Sequence, residues 1–230
     1  GTIEYRGDVR TQYSFSFEGE SYTVYVDVPY AEYRHYSSDD AAYASDRTGR
    51  TAESGCRFIT IDGAVGVLAQ RLTSEYLDAD PSASVTDQRF ADYILSFVQS
   101  CMVSGSDTFY NSTSTYWAFP SETLYTGAGD SGDLSVLAAS LLRACGYDAG
   151  IAVIHNHAFV TLTVDGFAEP EAPYGYHVLV VRTGNVSTAL TDVSGGRVPL
   201  GCVGEGYGYY NGRFTYYGQD ASADSGVALP

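Results

Sequence analysis

The stretch from Tyr116 to Val164 constrains this chain most, because it carries a loop, a helix, a turn and a strand in unbroken order. Gly127, Gly129 and Asp130 form a tight polar approach. Asp130 or Ser131 can serve as the N-cap, and Asp133 falls in the first turn, where a carboxylate suits the positive end of the helix dipole. Leu134, Leu137, Ala138, Leu141 and Leu142 recur at i, i+3, i+4, i+7 and i+8, which is one core-facing helical stripe. Gly146 stands where a left-handed C-terminal cap belongs. A β-rich run from Ile151 to Val164 follows and carries His155 and His157. A small residue of nucleophile type at a helix N-terminus is therefore followed by a histidine on a strand.

Around that frame stand Tyr116-Trp117, Pro120, Glu122-Thr123-Leu124, Gly127, Gly129-Asp130-Ser131, Asp133, Gly146-Tyr147 and His157-Ala158. Their order and spacing resemble the transglutaminase-like branch of the papain-like cysteine hydrolases. The resemblance is to an archaeal and bacterial subgroup whose pattern is roughly YWxxPxETLxxGxGDCxD, an apolar helix ending in LGY, then a strand with HxA or HA. It is dense over 116–164 and extends loosely to Phe97-Val98-Gln99 and to Asp192. It implies an α+β fold in which the nucleophile opens a central helix packed on an antiparallel sheet. It also implies cleavage of peptide or isopeptide amide bonds in a peptide or protein substrate, with acyl transfer as the less favoured outcome and no cofactor.

The resemblance assigns roles residue by residue. Position 131 attacks the carbonyl, His157 takes or shares its proton and later protonates the leaving amine, and Asp192 orients the imidazole. His157 is preferred to His155 because Ala158 follows it, although on a flat strand both would share a face. Asp165 is the fallback for Asp192. The backbone N–H of residue 131 would hold the oxyanion with a side chain from Gln99, Tyr116 or Trp117; Gln99 enters because a glutamine plays that part in papain. The central departure is Ser131, where the family places cysteine. A serine hydroxyl is far less acidic than a thiol, so it cannot inherit thiolate chemistry freely. Three readings follow: a natural pseudoenzyme that binds peptides or cell-surface polymers, a working serine variant, or a serine introduced to silence a cysteine enzyme. A start at Gly1 without Met favours the third.

Other chemistries fit less well. GDSGD resembles the GDSGG of trypsin-like serine proteases, but there the serine lies in a β-barrel loop and the catalytic histidine precedes it. GAGDSGD lacks the lysine of a phosphate-binding loop. His155, His157 and Asp192 have no recognised metal-site spacing. Four cysteines (Cys56, Cys101, Cys145, Cys202) form no CxxC pair, which argues against structural zinc and leaves both disulfides and free thiols open. A net charge of -16 argues against nucleic acid and anionic membrane as electrostatic partners. All 12 basic residues are arginine, which fits arginine-biased coding or, alternatively, a crosslinking enzyme that spares itself. The 21 tyrosines and the lack of lysine point to an extracellular or cell-surface setting, and no signal peptide or transmembrane run is present.

The rest of the chain reads in order as follows. Residues 1–57 form a β-rich extension, with alternation over 11–30 predicting a hairpin around Glu18 to Ser21. Arg6 to Asp8 is too short to carry an adhesion reading. Residues 31–56 read as polar loop with some short structure and with His35 at the surface. The main domain, 58–220, holds a helix over 62–77 with Val65, Leu68, Leu72 and Tyr76 inward, and a second over 86–103 capped by Thr86. Residues 104–115 read as exposed loop. Residues 176–182 and 187–193 read as strands, and Tyr207 to Tyr217 as a last hairpin or clasp. Asn111 and Asn185 head glycosylation triplets, and 221–230 reads as a disordered tail.

Overall fold

The computed structural model describes residues 7–38, 47–105 and 116–228. Arg6, the Asn111 triplet and nearly all of the 104–115 loop lie outside the described residues. The fold is mixed α+β with antiparallel sheets. Strands β1 (Val9–Phe17) and β2 (Glu20–Val28) pair through the two-residue turn Glu18-Gly19, whose φ angles of 51° and 88° match the twist of paired strands. Their inward residues Phe15, Phe17, Tyr22, Val24, Val26 and Val28 are buried in the same core as the helices that follow. Phe15 packs at 5.4 Å on Tyr93 and 5.7 Å on Phe97, so the division near residue 57 does not separate two cores.

The stretch after β2, expected as loop with some short structure, carries the short helices α1 (Tyr30–Ser37) and α2 (Ala52–Cys56), the latter capped by the Thr51 hydroxyl. Helix α3 (Ala64–Ala79) buries Val65, Leu68, Leu72 and Tyr76 as the spacing predicts. Helix α4 (Gln88–Cys101) is capped one residue later than expected: Asp87, not Thr86, accepts from the N–H of Phe90 at 2.9 Å. After β3 (Val103–Ser104) come α5 (Pro120–Thr126), β4 (Ala128–Gly129) and α6 (Ser131–Ala144). Every residue of α6 from Gly132 to Leu142 is buried, which makes it the central helix. It ends at Gly146, whose φ of 92° lets the N–H of Tyr147 turn back to the Leu142 carbonyl at 3.0 Å.

The main sheet runs β14 (Gly226–Ala228), β5 (Ala149–Ile154), β6 (His157–Val164), β9 (Val186–Thr191), β8 (Val180–Thr183), all antiparallel. Its two faces alternate residue by residue. Ile151, Val153, Ala158, Val160 and Leu162 join the core that contains α6, whereas Ala152, Ile154 and Phe159 join a second cluster closed by Phe214. Phe214 belongs to a hairpin of β11 (Tyr207–Tyr210) and β12 (Arg213–Tyr216), extended by the short β13 (Gln219–Asp220).

Two further expectations need correction. The single strand over 176–182 is two: β7 (Tyr176–Val178) pairs with β10 (Cys202–Gly204), and β8 pairs with β9. Leu179 marks the switch, donating to Gly201 and accepting from Leu190. The tail beyond 221 is not disordered through 228. Residues 226–228 pair with β5 and cover an edge whose N–H and C=O groups would otherwise stand open. Among the described residues, no helix is long and apolar enough to cross a membrane.

Candidate active site

Ser131 is the first residue of α6, and a reciprocal pair of aspartates builds that helix start. One Asp130 carboxylate oxygen accepts from the N–H groups of Gly132 and Asp133, at 2.7 Å and 3.0 Å. Asp133 answers by accepting from the N–H of Asp130 at 3.3 Å. Its other oxygen accepts from the N–H of Ala118 at 2.8 Å, which ties the Tyr116–Ala118 segment to the helix. Asp133 is thus more than a first-turn charge. As the first helical residue, Ser131 has an N–H with no intrahelical acceptor. Its Oγ accepts from the N–H of Ala158 at 3.3 Å, so position 131 lies against the start of β6.

His157 opens β6 and reaches Asp192 just beyond the end of β9, with Nε2 at 3.2 Å from Oδ2. The other Asp192 oxygen accepts from both the N–H and the hydroxyl of Ser194, each at 2.9 Å. With Nε2 committed to Asp192, Nδ1 is the imidazole nitrogen left for other chemistry. Ser131 and His157 line one cavity of about 180 Å³, walled by Tyr116, Trp117, Asn156 and Val153. The Trp117 ring lies so close to α2 and α6 that a Cβ at Gly55 or Gly132 would meet it at 2.7 Å or 2.9 Å. Glycine at those two positions is what lets the wall approach the nucleophile position.

Charge in the site is divided. Burial of Asp192 would raise its carboxyl pKa, but the hydrogen bond and charge of His157, with the two bonds from Ser194, outweigh it and hold the pKa below the ordinary 3.8. Asp130 is shifted the other way: burial raises it, against the helix N–H groups and the nearby His157. All four cysteines are free thiols, which closes the disulfide alternative. Burial pushes Cys56 up, Cys101 to about 12, and Cys145 and Cys202 each to about 11.

Of the residues expected in the site, Ser131, His157 and Asp192 converge, and Tyr116 and Trp117 form the wall. Gln99 does not reach the cleft. It is buried behind Asp192, where its Nε2 donates to the carbonyls of Asp192 and Val198 at 2.9 Å and 3.1 Å and its Oε1 accepts from Arg197 at 3.2 Å. It supports the Asp192 backbone and has no donor free for an oxyanion. His155 does not share a strand face with His157. It sits in the tight turn His155-Asn156, with φ of 46° and 62°, and pairs with Asp224 at 3.5 Å. His155, His157 and Asp192 therefore do not form a metal cage, and no group of three or more candidate ligands occurs among the described residues. Asp165, the fallback, is exposed beyond the far end of β6.

One functional support escaped the sequence. Arg47 and Glu122 form a buried ion pair at 2.8 Å. Glu122 also accepts from the Tyr116 hydroxyl at 2.7 Å and the Phe119 N–H at 2.9 Å, while Arg47 donates to the Trp117 carbonyl at 3.0 Å. Burial, and next Glu122 itself, raise the Tyr116 pKa and keep its hydroxyl a donor. The pair thus pins the cleft wall from behind. An arginine in a polar run carries no signal that it will be buried.

The assembled site holds a hydroxyl at a helix N-terminus, an imidazole hydrogen-bonded to a carboxylate, and a first-turn helix N–H beside an aromatic wall. Those groups can attack a carbonyl, move a proton and hold an oxyanion. No family model, curated protein or solved structure matches this chain.

Proposed function

We propose that this is the scaffold of a transglutaminase-like cysteine hydrolase of papain-like topology, acting on peptide or isopeptide amide bonds and carrying serine at the nucleophile position. The observation that supports it most is the arrangement of three distant residues on three elements: Ser131 on α6 and His157 on β6 line one cleft, and Asp192 after β9 is hydrogen-bonded to the His157 ring. A central helix that carries the nucleophile, packed on an antiparallel sheet that supplies histidine and then aspartate, is the order the resemblance implies. In this reading residue 131 attacks the amide carbonyl. His157 takes the proton through Nδ1 and returns it to the leaving amine, Asp192 holds the ring, and the N–H of residue 131 faces the developing oxyanion. Water then releases the acyl group.

A second reading has its own support. Ser131 replaces the thiol on which that chemistry depends, so the present chain also fits a catalytically silent domain whose cleft binds extended peptides or cell-surface polymers. Ser131→Cys separates the two. A poised site makes the new thiol react with iodoacetamide well below the pKa of about 8.5 for free cysteine, and Ser131→Cys/His157→Ala loses that behaviour. Peptide mapping separates the label at position 131 from the four native cysteines. Amide hydrolysis by Ser131→Cys completes the case. A thiol of ordinary pKa, indifferent to His157, refutes the enzyme scaffold in favour of the binding domain.

A further inference from the structure

The turn that presents His157 is gripped by the C-terminal part of the chain. Tyr207 and Tyr216 are direct cross-strand partners in the β11–β12 hairpin, with ring centroids 5.1 Å apart. Tyr207 stacks on the His157 imidazole, centroids 5.4 Å apart and planes 24° from parallel. Tyr216 stacks in the same way on His155, at 4.5 Å and 22°. One pair of neighbouring tyrosines therefore covers the histidine in the tight turn and the one that follows it.

Three more ties come from the same segment. Asp224 pairs with the His155 ring at 3.5 Å, the Ser225 hydroxyl accepts from the His155 N–H at 3.2 Å, and β14 pairs with β5, the strand that leads into the turn. Phe159 completes the seat of the catalytic imidazole, meeting His157 edge-on at 4.8 Å and Tyr207 edge-on at 4.9 Å. Among the described residues the imidazole has one side-chain hydrogen bond, to Asp192, and one bond leaves the ring free to swing about it. A face on one side and an edge on the other remove that freedom. The Tyr207 hydroxyl makes no hydrogen bond to a described residue, so the ring is the part that holds. Burial, then the neighbouring Tyr216 and Asp192, push that hydroxyl up to about 12 and keep it neutral beside the carboxylate.

We propose that Tyr207 is the positioning residue for the His157 imidazole, and that residues 205–228 form a clasp on the β5–β6 turn that completes the site. This rests on the reading of His157 as the base, and the test separates the two. In the Ser131→Cys protein, iodoacetamide rates are measured from about pH 5 to about pH 9 for Tyr207, Tyr207→Phe, Tyr207→Leu and His157→Ala, with the thermal midpoint and Trp117 emission as checks on folding. Tyr207→Phe keeps the profile within about twofold, because the stacking face remains. Tyr207→Leu lowers the rate at about pH 6 by roughly three- to tenfold and moves the thiol toward about 8.5, with the rate at about pH 9 unchanged. Where Tyr207→Leu does not fold, Tyr207→Met takes its place with the same expected and refuting results. A profile that responds to His157→Ala but not to loss of the Tyr207 ring overturns the positioning role alone. A profile indifferent to both overturns the functional reading and this inference with it.

Discussion

Arg47→Met tests whether a buried ion pair organises the cleft wall. The Arg47 and Glu122 side chains are 7% and 8% exposed, and their closest approach is 2.8 Å. Removing the guanidinium leaves Glu122 with the Tyr116 hydroxyl and the Phe119 N–H as hydrogen-bond donors. It also strips the Trp117 carbonyl and the Tyr36 carbonyl of their donor and removes a cation from the Tyr116 face, 4.5 Å away. Breaking a buried pair from one side costs about 3–5 kcal/mol, because the surviving charge stays out of water. In a domain of this size about 1 kcal/mol moves the thermal midpoint by roughly 2–4 °C, so the expected fall is about 6–20 °C. Urea and thermal unfolding followed by circular dichroism measure it. Trp117, the single tryptophan, reports the wall directly, and its emission shifts to the red as the segment loosens. Arg47→Met/Glu122→Gln recovers part of the loss, since a neutral amide carries no buried charge and its oxygen still accepts from the Phe119 N–H while its NH2 donates to the Tyr116 oxygen. A loss below about 1 kcal/mol, or two substitutions that simply add, refutes the reasoning: the pair would then be effectively solvated and the wall held by packing alone.

Two further outcomes follow from the groups around His157. Asp192 has its pKa depressed in the folded protein, so its contribution is present above the unfolded value and is lost as pH falls through the folded one. Asp192→Asn therefore costs most stability near neutral pH and progressively less below about pH 4, as urea titrations across that range show; a penalty that grows on acidification contradicts the sign. Gln99→Leu removes the shared donor from the Asp192 and Val198 carbonyls and costs about 1–3 kcal/mol in the urea midpoint. An unchanged midpoint would mean those carbonyls find other donors and that Gln99 does not support Asp192.

What the sequence made legible follows from how local each cause is. Helices α3, α4 and α6 are legible because the apolar period lies within the segment itself; the α4 cap is one residue off, and for α6 only the reach of Asp133 to Ala118 escapes. The turn at His155-Asn156 was also local. Two apolar runs, 151–154 and 158–162, flank those residues, but strand alternation carried straight through them placed His155 wrongly beside His157. Positions whose state depends on distant partners were not readable. Leu179 lies inside an apolar run, and only the separate demands of β9 and β10 break that run in two. Gly226–Ala228 is too short to announce a strand; it is one because β5 would otherwise present a bare edge. Arg47 looks like any surface arginine until Glu122 and three aromatic rings surround it.

The candidate site divides along the same line. Ser131, its cap and its wall come from one contiguous stretch, where order and spacing are enough to find them. The parts that tune the imidazole come from elsewhere: Asp192 from beyond β9, Gln99 from α4 behind it, and Tyr207 from a hairpin late in the chain. Sequence places Gln99 on a buried helix without saying which of two neighbours it serves. Its amide lies behind Asp192, where two carbonyls need donors, and that need decides the role. A nucleophile can be transplanted with its helix, but the orientation of its base is a property of the packed domain. The response of a cysteine at position 131 to changes at Tyr207 and Gln99, neither of which touches it in sequence, is therefore the sharpest measure of whether this site is assembled for chemistry or only shaped for binding.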